Sequence, residues 1–309
     1  MTTRRYLLRT VFVFALALPL SGCLFHSRKP AVLMSTAPLQ SATLQDLVDK
    51  INHDAAQIKT LNATVDLSAS VGGSKKGKIT EYQEIKGYIL VRKPEMLRMI
   101  GLFPIVRNRA FDMVSNGETF KLWVPPKNKF IVGRNDVSNP NSKQPLENLR
   151  PQHIYDALLL RAIDPDKEVA VLEQGNESIE NPKTHQATLQ PEYVVDVIHK
   201  EDHSWYLSRK IYFSRTTLQP YRQVVYDKHG CVATDATYDN FQEFNGVLFP
   251  TLIHIFRPQE EYAVTLKIEK MTVNQPLKDE QFALAQPAGS QLVRLDGGSG
   301  TATSGPGTY

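Results

Sequence analysis

The sequence predicts a mainly β protein with a minority of helix (α+β): one large antiparallel sheet, strongly curved or nearly closed, with helices over one face. Three observations lead there. Long stretches alternate apolar and polar residues with a period of two. Turn residues punctuate these stretches at short intervals, and only two segments carry apolar residues at helical spacing.

The chain opens with Arg4, Arg5 and Arg9, an apolar run from Val11 to Leu18, and then Leu20-Ser21-Gly22-Cys23. A basic start, an apolar run too short to span a bilayer and small residues before a cysteine read as a signal peptide over residues 1–22. Leu-Ser-Gly-Cys resembles the lipobox of bacterial lipoproteins, whose cysteine receives diacylglycerol and is then acylated. Cys23 is therefore the expected lipidation site; the rival reading is an ordinary secretory signal with a cysteine there by chance. Lipidation of Cys23 leaves Cys231 without a partner, so no disulfide is expected and the hydrophobic core must stabilise the exported domain. Loss of the three leader arginines lowers the formal charge from +4 to +1. A nearly neutral chain lacks the concentrated basic face that nucleic acid requires.

Residues 23–42, rich in Ser, Thr, Pro and Ala, read as a lipidated flexible linker. The folded domain is assigned to residues 43–290 and a disordered tail to 291–309, most of it Gly, Ser and Thr. Thr43-x-x-Asp46 begins a helix like a capping box, and Leu44, Leu47, Val48, Ile51, Ala55 and Ile58 follow at helical spacing. From Ala63 the period becomes two, with Val65, Leu67, Ala69 and Val71 on one face. After the glycine-rich turn at residues 72–77 a strand returns through Ile85, Gly87, Ile89 and Val91 to Pro94. Strands follow near residues 96–100, 110–114, 118–124 and 129–132, divided by Asn116-Gly117 and Pro125-Pro126. Residues 151–163 read as a second helix that begins at a proline. Strands are then expected near 168–173, 185–190, 192–199, 204–214, 221–227, 231–241, 246–256 and 260–271. Two of these alternate strictly: Trp205, Leu207, Arg209, Ile211 and Phe213 share one face, as do Tyr262, Val264, Leu266 and Ile268.

Catalytic motifs are absent: no Gly-x-Ser-x-Gly elbow, no phosphate-binding glycine loop and no His-Glu-x-x-His helix. The chain is expected to be no enzyme and to need no cofactor or metal. His199 and His203 stand four apart with Asp202 between, a spacing that converges on a helix but not in the strand and turn expected there. Cys231, after Lys228-His229-Gly230, reads as a lone buried or semi-buried thiol. Arg209, alone on an apolar strand face, is a candidate polar group inside the fold, or a rim arginine with a buried stem. Gly101-Leu102-Phe103-Pro104-Ile105-Val106 joins two strands through a turn, yet four of its residues are large hydrophobes. Turns normally face water. Leu102, Phe103, Ile105 and Val106 form either an exposed tip that contacts a membrane or a plug folded into the core.

Several segments resemble the outer-membrane lipoprotein-sorting proteins LolA and LolB. They are Gly87-Tyr88-Ile89-Leu90-Val91-Arg92-Lys93-Pro94, Leu97-Arg98-Met99, the run from Asp112 to Pro125, and Phe282-Ala283-Leu284-Ala285-Gln286-Pro287-Ala288-Gly289. The resemblance implies about eleven antiparallel strands in an incomplete barrel, with helices covering the open side and an apolar cavity for acyl chains. It also implies the partners: membrane lipid or acylated lipoprotein cargo, and a periplasmic carrier protein. LolB-like proteins are themselves lipoproteins with a protruding apolar loop, which Cys23 and the residue 102–106 tip match. Leu24 in place of aspartate after the lipid cysteine favours the outer membrane, facing the periplasm. LolA-like proteins carry an arginine directly before the proline that latches a lid. Here Lys93 takes that place with Arg92 before it, and alternation points the two to opposite faces. Arg92, Lys93 and Arg209 are the latch candidates. Val65, Leu67, Ile89, Val91, Leu97, Trp205, Leu207, Tyr262, Val264 and Leu266 are candidate cavity lining, and the same residues would serve as ordinary core. The expected function is the sheltering of acyl chains of lipids or lipoproteins for transfer or membrane insertion. The rival is an envelope scaffold or sensor whose interior is filled by its own side chains.

Overall fold

The computed structural model describes residues 33–75, 77–137, 150–180, 187–201 and 203–295. The signal peptide, Cys23, Asp202 and the tail beyond Leu295 lie outside the described residues. The chain divides into two compact units. The smaller takes residues up to Thr36 together with 178–190. Within it, β1 (Leu33–Met34) pairs in parallel with Thr188 and Leu189, and the Ser35 amide donates to the Leu189 carbonyl at 2.9 Å.

The larger unit begins at Ala37. Helix α1 (Leu44–Gln57) leads into six strands joined by turns: β2 (Thr60–Gly73), β3 (Lys78–Arg92), β4 (Met96–Leu102), β5 (Arg109–Ser115), β6 (Thr119–Val124) and β7 (Lys129–Arg134). Helix α2 (Pro151–Leu158) follows. A second series then runs through β8 (Glu168–Glu180), β9 (Ala187–Glu201), β10 (Ser204–Ser214), β11 (Pro220–Tyr226), β12 (Val232–Phe244), β13 (Val247–Arg257) and β14 (Tyr262–Val273), with β15 (Gln291–Arg294) last. One hydrogen-bonded path orders the strands β9-β10-β11-β12-β13-β14-β2-β3-β4-β5-β6-β7-β15, and β8 pairs with β9 beside it. Neighbours along the path are antiparallel except β15, which lies parallel to β7.

Two meanders thus become one sheet through a single distant pairing, β14 on β2, in which Leu266 opposes Leu67 and Val264 opposes Ala69. The sheet stays open and does not close into a barrel. The eleven strands implied by the family resemblance are too few, since the described residues hold fifteen. One expected break disappears: segments 185–190 and 192–199 are a single strand. Pro191 costs no ladder bond to β10, because that pairing starts at Glu192. The folded chain also runs past residue 290, where β15 borrows the edge of β7. Before it, the Gln40 amide donates to Arg215 O at 2.7 Å, so the end of the expected linker is tied down.

Sequence periodicity explains the local structure. In β2, Leu61, Ala63, Val65 and Leu67 are buried while intervening residues are not, and β14 buries Tyr262, Val264, Leu266 and Ile268. A bulge between Ile268 and Lys270 resets the parity, so Met271 and Val273 turn inward again. The Thr43–Asp46 capping box forms as its residues predict. Helix α1 lays Leu47 and Ile51 against Tyr193, Val195 and Val197 of β9 and Ile211 and Phe213 of β10. Helix α2 touches β4 and β5 as well as β12 and β13. Strands β5 and β12 stand six places apart in the sheet, roughly 29 Å if the sheet were flat at about 4.8 Å per strand. A helix about 10 Å wide reaches both only if the sheet curls around it.

Helix α2 ends at Leu158, five residues before its expected end. The next residues are held extended by outside partners: Arg209 donates to the carbonyls of Arg161 at 2.6 Å and Ala162 at 3.0 Å. The Ile163 amide donates to Asn52 Oδ1 on α1 at 2.8 Å.

Candidate functional site

Beneath α2 the concave face of the sheet does not fill. A cavity of about 410 Å3 lies between the N-terminal meander and β14. Leu67, Ala69 and Val71 of β2 and Ile85 of β3 form one wall; Met99, Met113, Leu122 and Val124 of β4 to β6 form the opposite one. Ile154 of α2 and Tyr262 and Val264 of β14 complete it. The room has a cause in sequence: Ala69 and Ala110 stand at lining positions that a larger side chain would fill. Gly101 serves the same end, since a Cβ there would lie 2.4 Å from the Phe111 ring, which lines the cavity.

Exposure grades the cavity from floor to mouth. Met99, Met113, Leu122 and Ile154 are buried, whereas Tyr82, Gln83, Pro126 and Lys127 are exposed. Phe103 joins them at the mouth, half-buried and packed on the core. Beyond it the chain turns outward: Ile105 is 92% exposed and Val106 64%. The two readings of this tip are therefore divided within it. Leu102 ends β4 and Phe103 lines the cavity, while Ile105 and Val106 stand in solvent.

Polar anchors hold α2 over the cavity. The Tyr155 hydroxyl donates to Pro94 O, and the buried Tyr238 hydroxyl to Ala157 O at 2.8 Å. The Tyr262 hydroxyl lies 3.5 Å from His153 Nδ1. Burial, reinforced by the charges of Arg257 and Arg150, holds the His153 imidazole well below its ordinary range. The unfolded chain therefore takes up this proton first. The stability contribution is complete above about pH 6.5 and is lost as the pH falls below that value. Thermal unfolding at pH 7.5 and 5.5 should show a larger drop in midpoint for the wild type than for His153→Gln. Equal drops would remove His153 as the group that couples α2 to protons.

The latch candidates separate. Arg92 faces away from the helices: it pairs with Asp279 at 2.6 Å, donates to Leu277 O at 3.1 Å and lies over the Phe282 ring, fastening the C-terminal segment. Lys93 turns the other way and donates to the Ala55 carbonyl of α1, and burial lowers the pKa of its ammonium. Arg209, only 3% exposed, holds the chain that leaves α2 and also meets Glu168 at 3.2 Å. Desolvation pulls its guanidinium down to about 10, with Glu168 opposing. Behind α2, on the flank opposite Ile154, a groove of about 780 Å3 mixes Asn52, Lys93, Glu95, Gln152 and Asp156 with apolar residues such as Leu159 and Leu160.

Of the ten lining candidates, Leu67, Tyr262 and Val264 face the cavity. Val65, Ile89, Val91, Leu97 and Leu266 are packed solid in the main core. Trp205 is 64% exposed and Leu207 half-buried. A bulge between Leu207 and Arg209 explains both: the extra residue reverses the parity, so Arg209, Ile211 and Phe213 point inward while Trp205 does not. Cys231 is exposed rather than buried, because it closes the turn in which the Asp227 carboxylate accepts from the His229 and Cys231 amides at 2.9 and 3.0 Å. His199 packs against the Tyr206 ring, and His203 is exposed. Among the described residues no group of three His, Cys, Asp or Glu side chains is placed to hold a metal ion. No helix among them is long and apolar enough to cross a membrane.

The family model that matches, over residues 172–286, is described only as an uncharacterized protein. No curated protein matches the chain. Its structural neighbours are LolA-superfamily, lipoprotein-sorting and DUF1329 proteins. The LolA superfamily protein NE2245 from Nitrosomonas europaea is 15% identical, with a TM-score of 0.47, over 79% of this chain and 99% of that one. A putative outer membrane lipoprotein-sorting protein domain from Vibrio parahaemolyticus is 12% identical, with a TM-score of 0.47, over 78% and 97%. A DUF1329 family protein from Desulfovibrio piger is 15% identical, with a TM-score of 0.49, over 78% and 95%.

Proposed function

We propose that this protein is a non-enzymatic binder of acyl chains that shelters a chain from a lipid or an acylated lipoprotein in the cavity beneath α2. In this reading Cys23 tethers it to the outer membrane, facing the periplasm, and a periplasmic carrier protein is its donor. The observation that carries the proposal is the unfilled, almost wholly apolar hollow of about 410 Å3 beside an exposed apolar loop. Each buried methylene contributes about 0.8 kcal/mol, so such a hollow holds a chain without covalent chemistry. Release needs only a membrane or partner that offers equal burial. Ile105 and Val106 stand where the mouth would meet that membrane, with nothing of their own fold to cover them.

The test is lipid uptake by the mature protein: extraction and mass spectrometry of co-purified lipid, with displacement of an environment-sensitive fluorescent probe. Transfer to liposomes should fall about tenfold in an Ile105→Asp/Val106→Asp double variant, since an aspartate costs a few kcal/mol where an isoleucine would enter a bilayer. Its thermal midpoint should not move, because both positions are exposed. The scaffold or sensor reading has its own support in the five expected lining residues that prove to be solid core. It predicts that no lipid co-purifies and no probe is taken up.

A further inference from the structure

The cavity wall contains one charge. Among the twenty residues that line it, Lys127 is the one Lys or Arg, and no Asp or Glu is among them. It sits at the exposed mouth, on the short 3-10 turn Pro125–Lys127 that caps β6. The Asn128 amide closes this turn onto Pro125 O at 2.9 Å, and Asn128 adopts a left-handed conformation, so the backbone under Lys127 is fixed. No carboxylate among the described residues pairs with its ammonium. Lys75 and Arg109 do not line the cavity and have partners elsewhere: Lys75 donates to Gln259 O, and Arg109 pairs with Asp112. Tyr82 and Gln83 supply a hydroxyl and an amide at the same rim. Across the mouth, Arg107 follows Ile105 and Val106 on the tip that carries Phe103, exposed and likewise without a carboxylate partner among the described residues.

An acyl chain that fills the floor must leave its polar head at this rim. We infer that the ligand is an amphiphile with an anionic head, a carboxylate or a phosphate ester, and that Lys127 is the residue that selects it. The inference rests on the reading of the cavity as an acyl-chain site and adds the chemistry of the head. A lysine stem lies comfortably along apolar surface while its ammonium stays in water, so Lys127 covers the mouth in the empty protein without burying its charge. When a chain enters, the ammonium meets the head with less water between them, and the attraction grows as the local dielectric falls. Neutral and zwitterionic heads gain less from the same contact.

The experiment follows displacement of the uncharged fluorophore N-phenyl-1-naphthylamine from the mature protein by four amphiphiles of one chain length. These are palmitate, palmitoyl lysophosphatidylglycerol, palmitoyl lysophosphatidylcholine and hexadecanol. Lysophosphatidylglycerol, palmitate or both should displace at concentrations about tenfold below the other two, with the gap narrowing as salt is raised. Whichever of the two anions prevails identifies the head as carboxylate or phosphodiester. Lys127→Met should shrink the anionic-to-neutral ratio to within twofold, and Lys127→Glu should invert it. Because the readout is a ratio within each protein, a change in total uptake does not disturb it. If the fluorophore enters but all four amphiphiles displace it alike, or Lys127→Met keeps the ratio, the head-group inference is overturned while the acyl site stands. If the fluorophore never enters, the acyl-site reading itself fails.

Discussion

Replacing Arg209 with methionine is expected to destabilise the protein by about 3–5 kcal/mol, the usual cost of removing one partner from a buried, hydrogen-bonded ion pair. Three bonds go at once. The carbonyls of Arg161 and Ala162 lose their donors, and Glu168, itself buried, loses the partner at 3.2 Å that shares its burial. Arg161 still reaches Glu168 at 2.6 Å, but its side chain is largely in solvent and cannot replace a buried guanidinium. Arg209→Lys should recover only part of the loss, because a point charge cannot serve two carbonyls and a carboxylate as the planar fork does. Adding Glu168→Gln to the methionine variant should recover more, since no buried carboxylate is then left short of a partner. Urea unfolding of the four proteins checks this. A loss below about 1 kcal/mol for Arg209→Met would show that the segment after α2 is anchored by something else.

The largest functional effect is expected at Ala69. Its methyl group faces the cavity, and Val264 lies opposite it across the β14–β2 ladder. In Ala69→Trp the indole projects into empty space rather than into packed core. It takes the room of about six methylenes, each worth about 0.8 kcal/mol of burial to a bound chain. Affinity for palmitate or a fluorescent acyl probe should fall at least a hundredfold, while the thermal midpoint holds or rises as the void is filled. A parallel fall in stability would mean that the space is smaller than it measures. Undiminished binding would place the ligand elsewhere, with the groove behind α2 the next region to probe.

These two residues differ in how far the chain announces them. Arg209 is visible as a charge on an apolar strand face, although its partners are not, because they lie more than forty residues away, Arg161 and Ala162 in a segment that reads as helix and Glu168 at the start of a strand. Its neighbours on the same stretch mislead: Trp205 and Leu207 alternate with it in sequence, and one bulged residue sends them off that face. Ala69 is legible only as a member of a β2 face. Nothing in a strand's own alternation says whether its inward residues touch other side chains or open space.

Periodicity, capping and turn chemistry are properties of neighbours along the chain, and these the amino-acid sequence determined by itself. The capping box of α1, the strands within each meander and the turns at Asn116-Gly117 and Pro125-Pro126 follow from contacts between residues only a few places apart. The division between core and cavity was decided by tertiary structure alone. Val65 and Leu67 share a strand face, as do Val264 and Leu266, yet in each pair one packs solidly and the other borders the hollow. The difference comes from what stands across from them: alanines at two lining positions, a glycine that admits Phe111, and a helix held off the sheet by Tyr155 and Tyr238. Those groups meet only after β14 has joined β2, some two hundred residues apart, and a void is the sum of all of them.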